Sequence, residues 1–145
     1  MRKRRTLWTG FALLVFLMVL LLTIPVWAAG EESTTGSCGA LTWTLDSDTG
    51  TLTISGSGEM TDWDYLDHAP WYEQRDTICT LVITEGVSSV GQRAFYDCMA
   101  LTAVTLSESI TKVGDSAFSD CSALQEITLP DSITALGSGA FSGCS

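Results

Sequence analysis

The sequence of 145 residues has no asparagine, a single histidine and only seven lysine and arginine residues. Because asparagine is absent, the chain offers no acceptor for N-linked glycosylation. Four of the basic residues stand together in Arg2–Arg5, so the rest of the chain carries three basic residues against 17 acidic ones, a net charge of −14. Nucleic acids and anionic membrane surfaces bind basic patches. This balance therefore excludes both as partners of the folded chain.

Catalytic and metal-binding motifs are also lacking. Nothing near His68 resembles a nucleophile elbow or a cysteine framed by glycines, and no carboxylate pair stands out by its spacing. Asp46, Asp48 and Gly50 resemble the opening of a calcium loop, but Ser57 stands where an EF-hand needs glutamate, and a hairpin turn explains them. A second polar group fits a solvated acidic loop: Asp62, Asp64, Asp67 and His68. We predict no enzymatic activity, metal or cofactor.

Residues 1–28 have the pattern of a secretory signal peptide. A basic stretch, Met1–Arg5, precedes an apolar run, Phe11–Trp27, and Val26–Ala28 forms a small-x-small cleavage site. The alternative is an uncleaved anchor, because the run of 17 residues is near the lower limit for spanning a bilayer. We predict cleavage and secretion. Cys38 lies too far from the run for a lipid anchor.

A 23-residue repeat fills the C-terminal half of the chain. Three residue types keep this period: Gly91, Gly114 and Gly137; Phe95, Phe118 and Phe141; Cys98, Cys121 and Cys144. A fixed period of roughly 20 to 50 residues is typical of arrays in which neighbouring copies bury a common core. The copies are residues 78–100, 101–123 and 124–145, and the last one is truncated.

Each copy predicts one short strand followed by a tight helical turn. Apolar and polar residues alternate at Leu81–Ile83, Val104–Leu106 and Ile127–Leu129, the pattern of a strand with one buried face. The motif G-x-x-A-F-x-x-C then predicts a single turn of α- or 3₁₀-helix. Stacked copies would lie about 4.8 Å apart. The phenylalanines would then form an aromatic column, and the cysteines that follow them would be buried thiols.

The third copy, LQEITLPDSITALGSGAFSGCS, resembles the BspA-like leucine-rich repeats of bacteria. The resemblance covers residues 78–145, and the stretch beginning CGALTWTLDSDTG resembles the N-terminal cap of that family. It implies an α/β fold: a right-handed solenoid with a parallel sheet on its concave side, short helical turns opposite and an N-terminal β-hairpin cap. The chain departs from the family pattern in having the proline only at Pro130. The asparagine ladder of many leucine-rich repeats is absent, and the cysteines occupy a comparable position.

Residues 38–77 are predicted to form this cap and its connection to the first copy, after a flexible lead-in at residues 29–37. Leu41–Leu45 and Thr51–Ser55 alternate apolar and polar residues around the turn-rich Asp46–Gly50, which predicts a β-hairpin.

The connection, Gly56–Ile78, is rich in aromatic residues: Trp63, Tyr65, Trp71 and Tyr72. One interpretation is a carbohydrate platform. The other, which we predict, is that Trp63 and Trp71 fill the space between cap and first copy, because large aromatic side chains are usually buried.

Two cysteines, Cys38 and Cys79, lie outside the repeated column. Secretion permits disulfides, and a bond between these two would join the cap to the first copy. We treat this disulfide as a hypothesis.

Six outward strand positions define the candidate binding surface: Thr80, Val82, Ala103, Thr105, Glu126 and Thr128. Such a flat, threonine-rich face suits a protein or glycan better than a small molecule, which needs a concave pocket. The resemblance implies adhesion.

We therefore predict a non-enzymatic secreted or surface-exposed protein that binds an extracellular protein or glycan and contacts the membrane only through an uncleaved signal segment. The alternative is a structural spacer that presents a domain beyond Ser145. The pattern breaks off within the third copy, so we expect the chain to be the N-terminal part of a longer protein.

Overall fold

The computed structural model describes residues 33–145, and the predicted signal peptide lies outside them. The described part is mostly strand, with one 3₁₀ helix at Tyr72–Thr77. The strands are β1 Ser33–Cys38, β2 Leu41–Asp46, β3 Thr51–Gly56, β4 Gly58–Glu59, β5 Thr80–Ile83, β6 Val87–Val90, β7 Ala103–Leu106, β8 Lys112–Val113 and β9 Ala135–Leu136. The predicted α/β class therefore overstated the helix content.

The first sheet has the strand order β1-β2-β3-β5-β7. The predicted hairpin is present, since β2 and β3 are antiparallel with Leu45 opposite Leu52. Strands β3, β5 and β7 are parallel, with Leu52, Leu81 and Val104 side by side. The period-2 alternation aligns because this register turns every apolar residue to the same face.

The prediction of a flexible lead-in is wrong for residues 33–37. They belong to β1, which pairs with β2 in an antiparallel ladder from Ser33 opposite Asp46 to Cys38 opposite Leu41. The polar composition concealed this strand, because backbone hydrogen bonds need no apolar side chain. Gly36 is required here: a Cβ at this residue would lie 2.7 Å from the indole Nε1 of Trp43.

A second, parallel sheet has the order β4-β6-β8-β9. Val90, Val113 and Leu136 are neighbours in it and are spaced by one repeat. The sequence did not indicate these strands, because each copy contributes only two to four residues to the sheet.

The predicted helical turn after each glycine is instead a series of tight turns. Residues three apart are hydrogen-bonded, as from the Ala94 N–H to the Gly91 carbonyl at 3.3 Å. No helix forms because two positions in every copy have a left-handed backbone: Arg93, Ser116 and Gly139 (φ 51°, 52° and 62°), then Asp97, Asp120 and Gly143 (φ 62°, 62° and 77°). Left-handed residues interrupt helices.

These turns provide a third line of hydrogen bonds between copies. The Phe95 N–H donates to the Ala117 carbonyl at 2.8 Å, and the Phe118 N–H donates to the Ala140 carbonyl at the same distance. The first and second copies are therefore bonded at both sheets and at the turns, and the second and third copies at the second sheet and at the turns.

The predicted aromatic column is present and is longer than expected. Phe95 and Phe118 stack with ring centroids 5.2 Å apart, and Phe118 and Phe141 at 5.4 Å. Trp71 stacks on the free face of Phe95 at 5.5 Å. The column thus begins outside the recognised repeat, in the segment that the sequence presented as a connection.

Residues 51–77 accordingly follow the same path as a repeat. Strand β3 lies beside β5, β4 lies beside β6, and the Trp63 N–H donates to the Gln92 carbonyl at 3.0 Å. Leu52 and Leu81, which are partners, are 29 positions apart in the sequence. This longer spacing hides the segment from a search for a 23-residue period.

The third predicted strand, Ile127–Leu129, is not formed. The first two predicted strands lie within β5 and β7, but the first sheet ends at β7 in the part of the chain that the structure describes. The third copy is nevertheless bonded to the second through β8 and β9 and through its turns. Only its strand segment departs from the array.

Candidate ligand-binding surface

Four of the six predicted surface positions lie together on the first sheet. Thr80 is opposite Ala103, and Val82 is opposite Thr105. Ala103 and Thr105 are exposed, while Thr80 and Val82 are half-buried. Their core-facing neighbours Leu81 and Ile83 are buried, so these four side chains occupy the solvent face of the sheet.

The other two positions, Glu126 and Thr128, are exposed but belong to the segment that is not paired with β7. A cleft of ≈ 500 Å³ separates this segment from β7. Val104 and Leu106 line the cleft and are half-buried, whereas the equivalent Leu81 and Ile83 are 0% and 1% exposed. The six positions therefore do not form one continuous face.

Serine and threonine hydroxyl groups form hydrogen bonds between neighbouring copies. Seven of them donate to a carbonyl of the preceding copy: Thr102 to Cys79 at 3.1 Å, Ser107 to Thr84 at 3.1 Å, Ser109 to Val87 at 2.7 Å, Thr111 to Ser88 at 3.1 Å, Ser132 to Ile110 at 2.6 Å, Thr134 to Thr111 at 3.2 Å and Ser145 to Ser122 at 3.2 Å. We call these bonds the hydroxyl clamps. The sequence contains a pattern from which these bonds could have been predicted, because most of these hydroxyl residues recur every 23 positions.

The clamps differ between the two sides of the third copy. On its second-sheet side it keeps the clamps of Ser132 and Thr134. On its first-sheet side, Gln125 replaces Thr102 and Pro130 replaces Ser107. Proline has neither a hydroxyl group nor a backbone N–H to donate. The strand segment of the third copy therefore lacks a hydroxyl clamp at both of its ends.

The tryptophans of the predicted connection are packing residues. Trp71 is fully buried and contacts Trp43 and Trp63 edge to face, with centroids 6.1 and 6.4 Å away. Its indole N–H donates to the Ala94 carbonyl at 2.8 Å. The interpretation that Trp63 and Trp71 fill the space between hairpin and first copy agrees with these contacts.

The tyrosines of this segment have neighbours on their ring faces. His68 stacks on Tyr72 at 3.9 Å, and the Arg75 guanidinium lies 4.2 Å from the same ring. The Arg93 guanidinium lies 3.8 Å from the ring of Tyr65. A carbohydrate platform needs free aromatic faces, so these contacts disfavour that interpretation.

The acidic groups stabilise loops. The Thr49 hydroxyl and the backbone N–H groups of Asp48 and Thr49 donate to the Asp46 carboxylate and hold its pKa below the usual value. The backbone N–H groups of Leu66 and Asp67 do the same for the pKa of Asp64. Residues 33–145 contain no group of three or more metal-ligating side chains placed to share an ion.

The hypothesis of a disulfide between Cys38 and Cys79 is wrong for this fold. Cys38 lies at the Gly56 end of β3, while Cys79 lies just before the partner of Thr51 at the opposite end. Five residues of strand separate these ends by roughly 17 Å, and the Cα atoms of a disulfide lie within about 7 Å. Both cysteines are free thiols.

The repeated cysteines are held inside the array. Cys98 and Cys121 are buried, and the thiols of Cys121 and Cys144 each donate to a phenylalanine carbonyl of the preceding copy at 3.2 Å. Burial raises the pKa of the Cys121 thiol to about 12 and also raises the pKa of Cys98. Since the thiolate is the reactive form, these groups are inert in the folded protein.

Alkylation of the native protein is expected to modify Cys79 first, because it is the exposed thiol. With iodoacetamide at neutral pH, followed by mass spectrometry, Cys98 and Cys121 should react only after unfolding in guanidinium chloride. Equal native rates for Cys79 and Cys98 would contradict the burial of the repeated cysteines.

The raised thiol pKa values also predict alkaline destabilisation. The unfolded Cys121 thiol ionises near its reference value of 9.0, but the folded one ionises near 12. The stabilising contribution is complete below about pH 9 and is lost as the pH rises toward 12. In urea unfolding at several pH values, Cys121→Ala should lose less stability between about pH 8 and 11 than the unmodified chain. A parallel fall in both proteins would contradict this assignment.

The model of the "BspA type Leucine rich repeat region (6 copies)" matches residues 71–145. This match begins at Trp71, which is also where the aromatic column begins. No curated protein matches the sequence.

Three bacterial leucine-rich repeat structures are similar to the chain. A protein of Eubacterium ventriosum has 28% identity and a TM-score of 0.63, with 78% of this chain and 36% of that protein covered. A cell surface protein of Faecalibacterium prausnitzii has 23% identity and a TM-score of 0.48, with 74% and 33% covered. A protein of Bacteroides capillosus has 27% identity and a TM-score of 0.45, with 70% and 86% covered.

The chain spans about a third of the length of the first two of these proteins. Residues 33–145 include no helix with the length and apolar character that crossing a bilayer demands. The matched family model, the register of the repeats and the similar fold agree. The chain belongs to the BspA-type leucine-rich repeat family.

Proposed function

We propose that this chain is a non-enzymatic, secreted or cell-surface binding protein. Its repeats would form a right-handed solenoid that binds an extracellular protein or glycan through the solvent face of the first sheet, with β1 to β3 as the N-terminal cap. The family match and the basic and apolar pattern of residues 1–28 support an extracellular location. One similar structure is itself described as a cell surface protein.

The observation that carries the proposal is the composition of the exposed strand face. Thr80, Val82, Ala103 and Thr105 lie in register on neighbouring strands. None of these side chains is large or charged, so a partner can approach the sheet closely without removing water from an ionised group. A stable protein interface buries roughly 800 Å² on each side, and each further copy would widen this face.

A solid-phase binding experiment tests the proposal. Residues 29–145 are applied to immobilised extracellular matrix proteins and glycans, together with the variant Thr80→Arg/Ala103→Arg. We expect binding to at least one immobilised partner and at least about a tenfold loss of affinity in the variant, because two long charged side chains block the face. Ser122→Arg, an exposed substitution in a turn, is the matched control and should bind normally.

Two results would argue against the proposal. Equal binding by the unmodified chain and Thr80→Arg/Ala103→Arg would exclude the strand face as the binding site. Absence of binding to the whole panel would favour the alternative role of a structural spacer. Surface labelling of intact cells with antibodies against residues 29–145 tests the location independently.

A further inference from the structure

The outer edge of β7 is an unpaired strand edge at a cleft. In the described part of the chain β7 pairs with β5 only. The strand segment of the third copy lies across a space of ≈ 500 Å³, within the roughly 300–1,000 Å³ of ligand pockets. Unpaired backbone N–H and C=O groups at a sheet edge are a template for another extended chain.

The third copy lacks two of the clamp residues that border this edge in the second copy. The first two copies are joined at the first sheet by β5 and β7 and by the clamps of Thr102 and Ser107. At the equivalent positions Gln125 and Pro130 provide no such clamp. The contact between the second and third copies is therefore weaker only along the cleft, since β8 and β9 remain paired.

The lining of the cleft specifies the chemistry of an occupant. Val104, Leu106 and Leu129 form its apolar wall, while Glu108 and Asp131 are exposed at its rim. None of the lining residues is basic. Side chains of an extended peptide alternate between two sides, so one side would contact the apolar wall and the other would meet the carboxylates.

We propose that this cleft binds an extended peptide segment of a partner protein, in which apolar residues alternate with lysine or arginine, and that the segment pairs with β7. The inference rests on the proposed function and names the class of partner that would bind at the β7 edge of the first sheet. Backbone hydrogen bonds to β7 supply sequence-independent affinity, and the apolar wall and acidic rim supply selectivity. The net charge of −14 in the chain outside Arg2–Arg5 favours encounter with a basic segment.

The probe is a fluorescent, capped heptapeptide that alternates lysine with valine. Its binding to residues 29–145 is measured by anisotropy. Glu108→Lys/Asp131→Lys should lower the affinity at least about fivefold, because two attractive charges become repulsive. Glu85→Lys is the matched control: Glu85 is equivalent to Glu108 one copy earlier, is exposed and does not line the cleft. It should leave the affinity within about twofold.

A reversible closure of the cleft tests the site directly. Thr105→Cys/Thr128→Cys places cysteines at equivalent positions on its two sides, and the oxidised variant should lose peptide binding, which a reducing agent should restore. Lys112→Cys/Ala135→Cys joins β8 and β9, which are already paired. Neither residue lines the cleft, so this variant should bind the peptide in both redox states. Recovery of peptide binding on reduction would show that the disulfide blocked the cleft and that the variant is correctly folded.

Three outcomes would overturn the inference. They are equal affinity for a peptide in which glutamate replaces lysine, equal affinity of Glu108→Lys/Asp131→Lys, and undiminished binding by the oxidised Thr105→Cys/Thr128→Cys variant. If the chain still binds an immobilised partner through Thr80 and Ala103 in any of these cases, only the cleft proposal fails. If both kinds of binding are absent, the proposed function fails as well.

Discussion

Replacement of Trp71 by alanine is expected to lower the free energy of unfolding by about 3–5 kcal/mol. This side chain is 0% exposed and contacts aromatic rings on three sides: Trp43 of the hairpin, Trp63 of the loop and Phe95 of the first copy. No other described ring joins the hairpin to the column in this way. Its removal leaves a cavity between two parts of the fold that the other repeats cannot fill.

Urea unfolding followed by circular dichroism measures this loss, and two variants separate its causes. Trp71→Phe retains the stacking on Phe95 but loses the hydrogen bond to the Ala94 carbonyl, and should cost about 1–2 kcal/mol. Tyr65→Ala removes an aromatic ring that is 66% exposed and should cost less than about 1 kcal/mol. If Trp71→Ala costs no more than Tyr65→Ala, residues 51–77 are not part of the common core.

The second large effect is expected at Gly114. A Cβ at this residue would lie 2.5 Å from the Gln92 backbone nitrogen and 2.9 Å from its Cα atom. Backbone atoms cannot rotate away, so Gly114→Ala must push the first and second copies apart against three lines of hydrogen bonds. We expect a loss of about 2–3 kcal/mol, measured by the same urea unfolding.

Gly139→Ala is the matched control for this prediction. Its φ of +62° is unfavourable for alanine, but the added Cβ would meet only the side chains of Ser116 and Ser142, both at 3.7 Å. The expected cost of about 1 kcal/mol is therefore conformational. Equal losses in the two variants would mean that backbone conformation, and not the contact between copies, explains the glycine period.

The repeat shows how far a sequence pattern can be extended into structure. The strand cores at Leu81 and Val104, the antiparallel hairpin and the stacked phenylalanines followed from periodicity, because each depends on side chains whose burial is dictated by local alternation. Strand β1 did not follow, since its partner is chosen by backbone hydrogen bonds across the sheet. The turns were also mistaken for helix, because a left-handed Arg93 or Ser116 leaves no sign in apolar spacing.

The candidate surface was also predicted only in part from the sequence. The sequence identified the outward residues of each strand, and the structure brings four of them together on β5 and β7. It does not extend that face to Glu126 and Thr128, and Gln125 and Pro130 stand there in place of the clamping Thr102 and Ser107. The serine and threonine positions that distinguish these copies are visible in the sequence. Which carbonyl group accepts a hydrogen bond from each hydroxyl group is known only from the structure.

The sequence by itself determined the family, the repeat length, the acidic character and the residues of the buried column. It could do so because burial repeats with a fixed period and leaves the same residue types at the same positions. The tertiary structure alone decided that residues 51–77 follow the path of a repeat, that Cys38 and Cys79 lie far apart, and that the first sheet ends at β7. Each of these depends on contacts between residues distant in the chain, and only the register of the folded backbone determines such contacts.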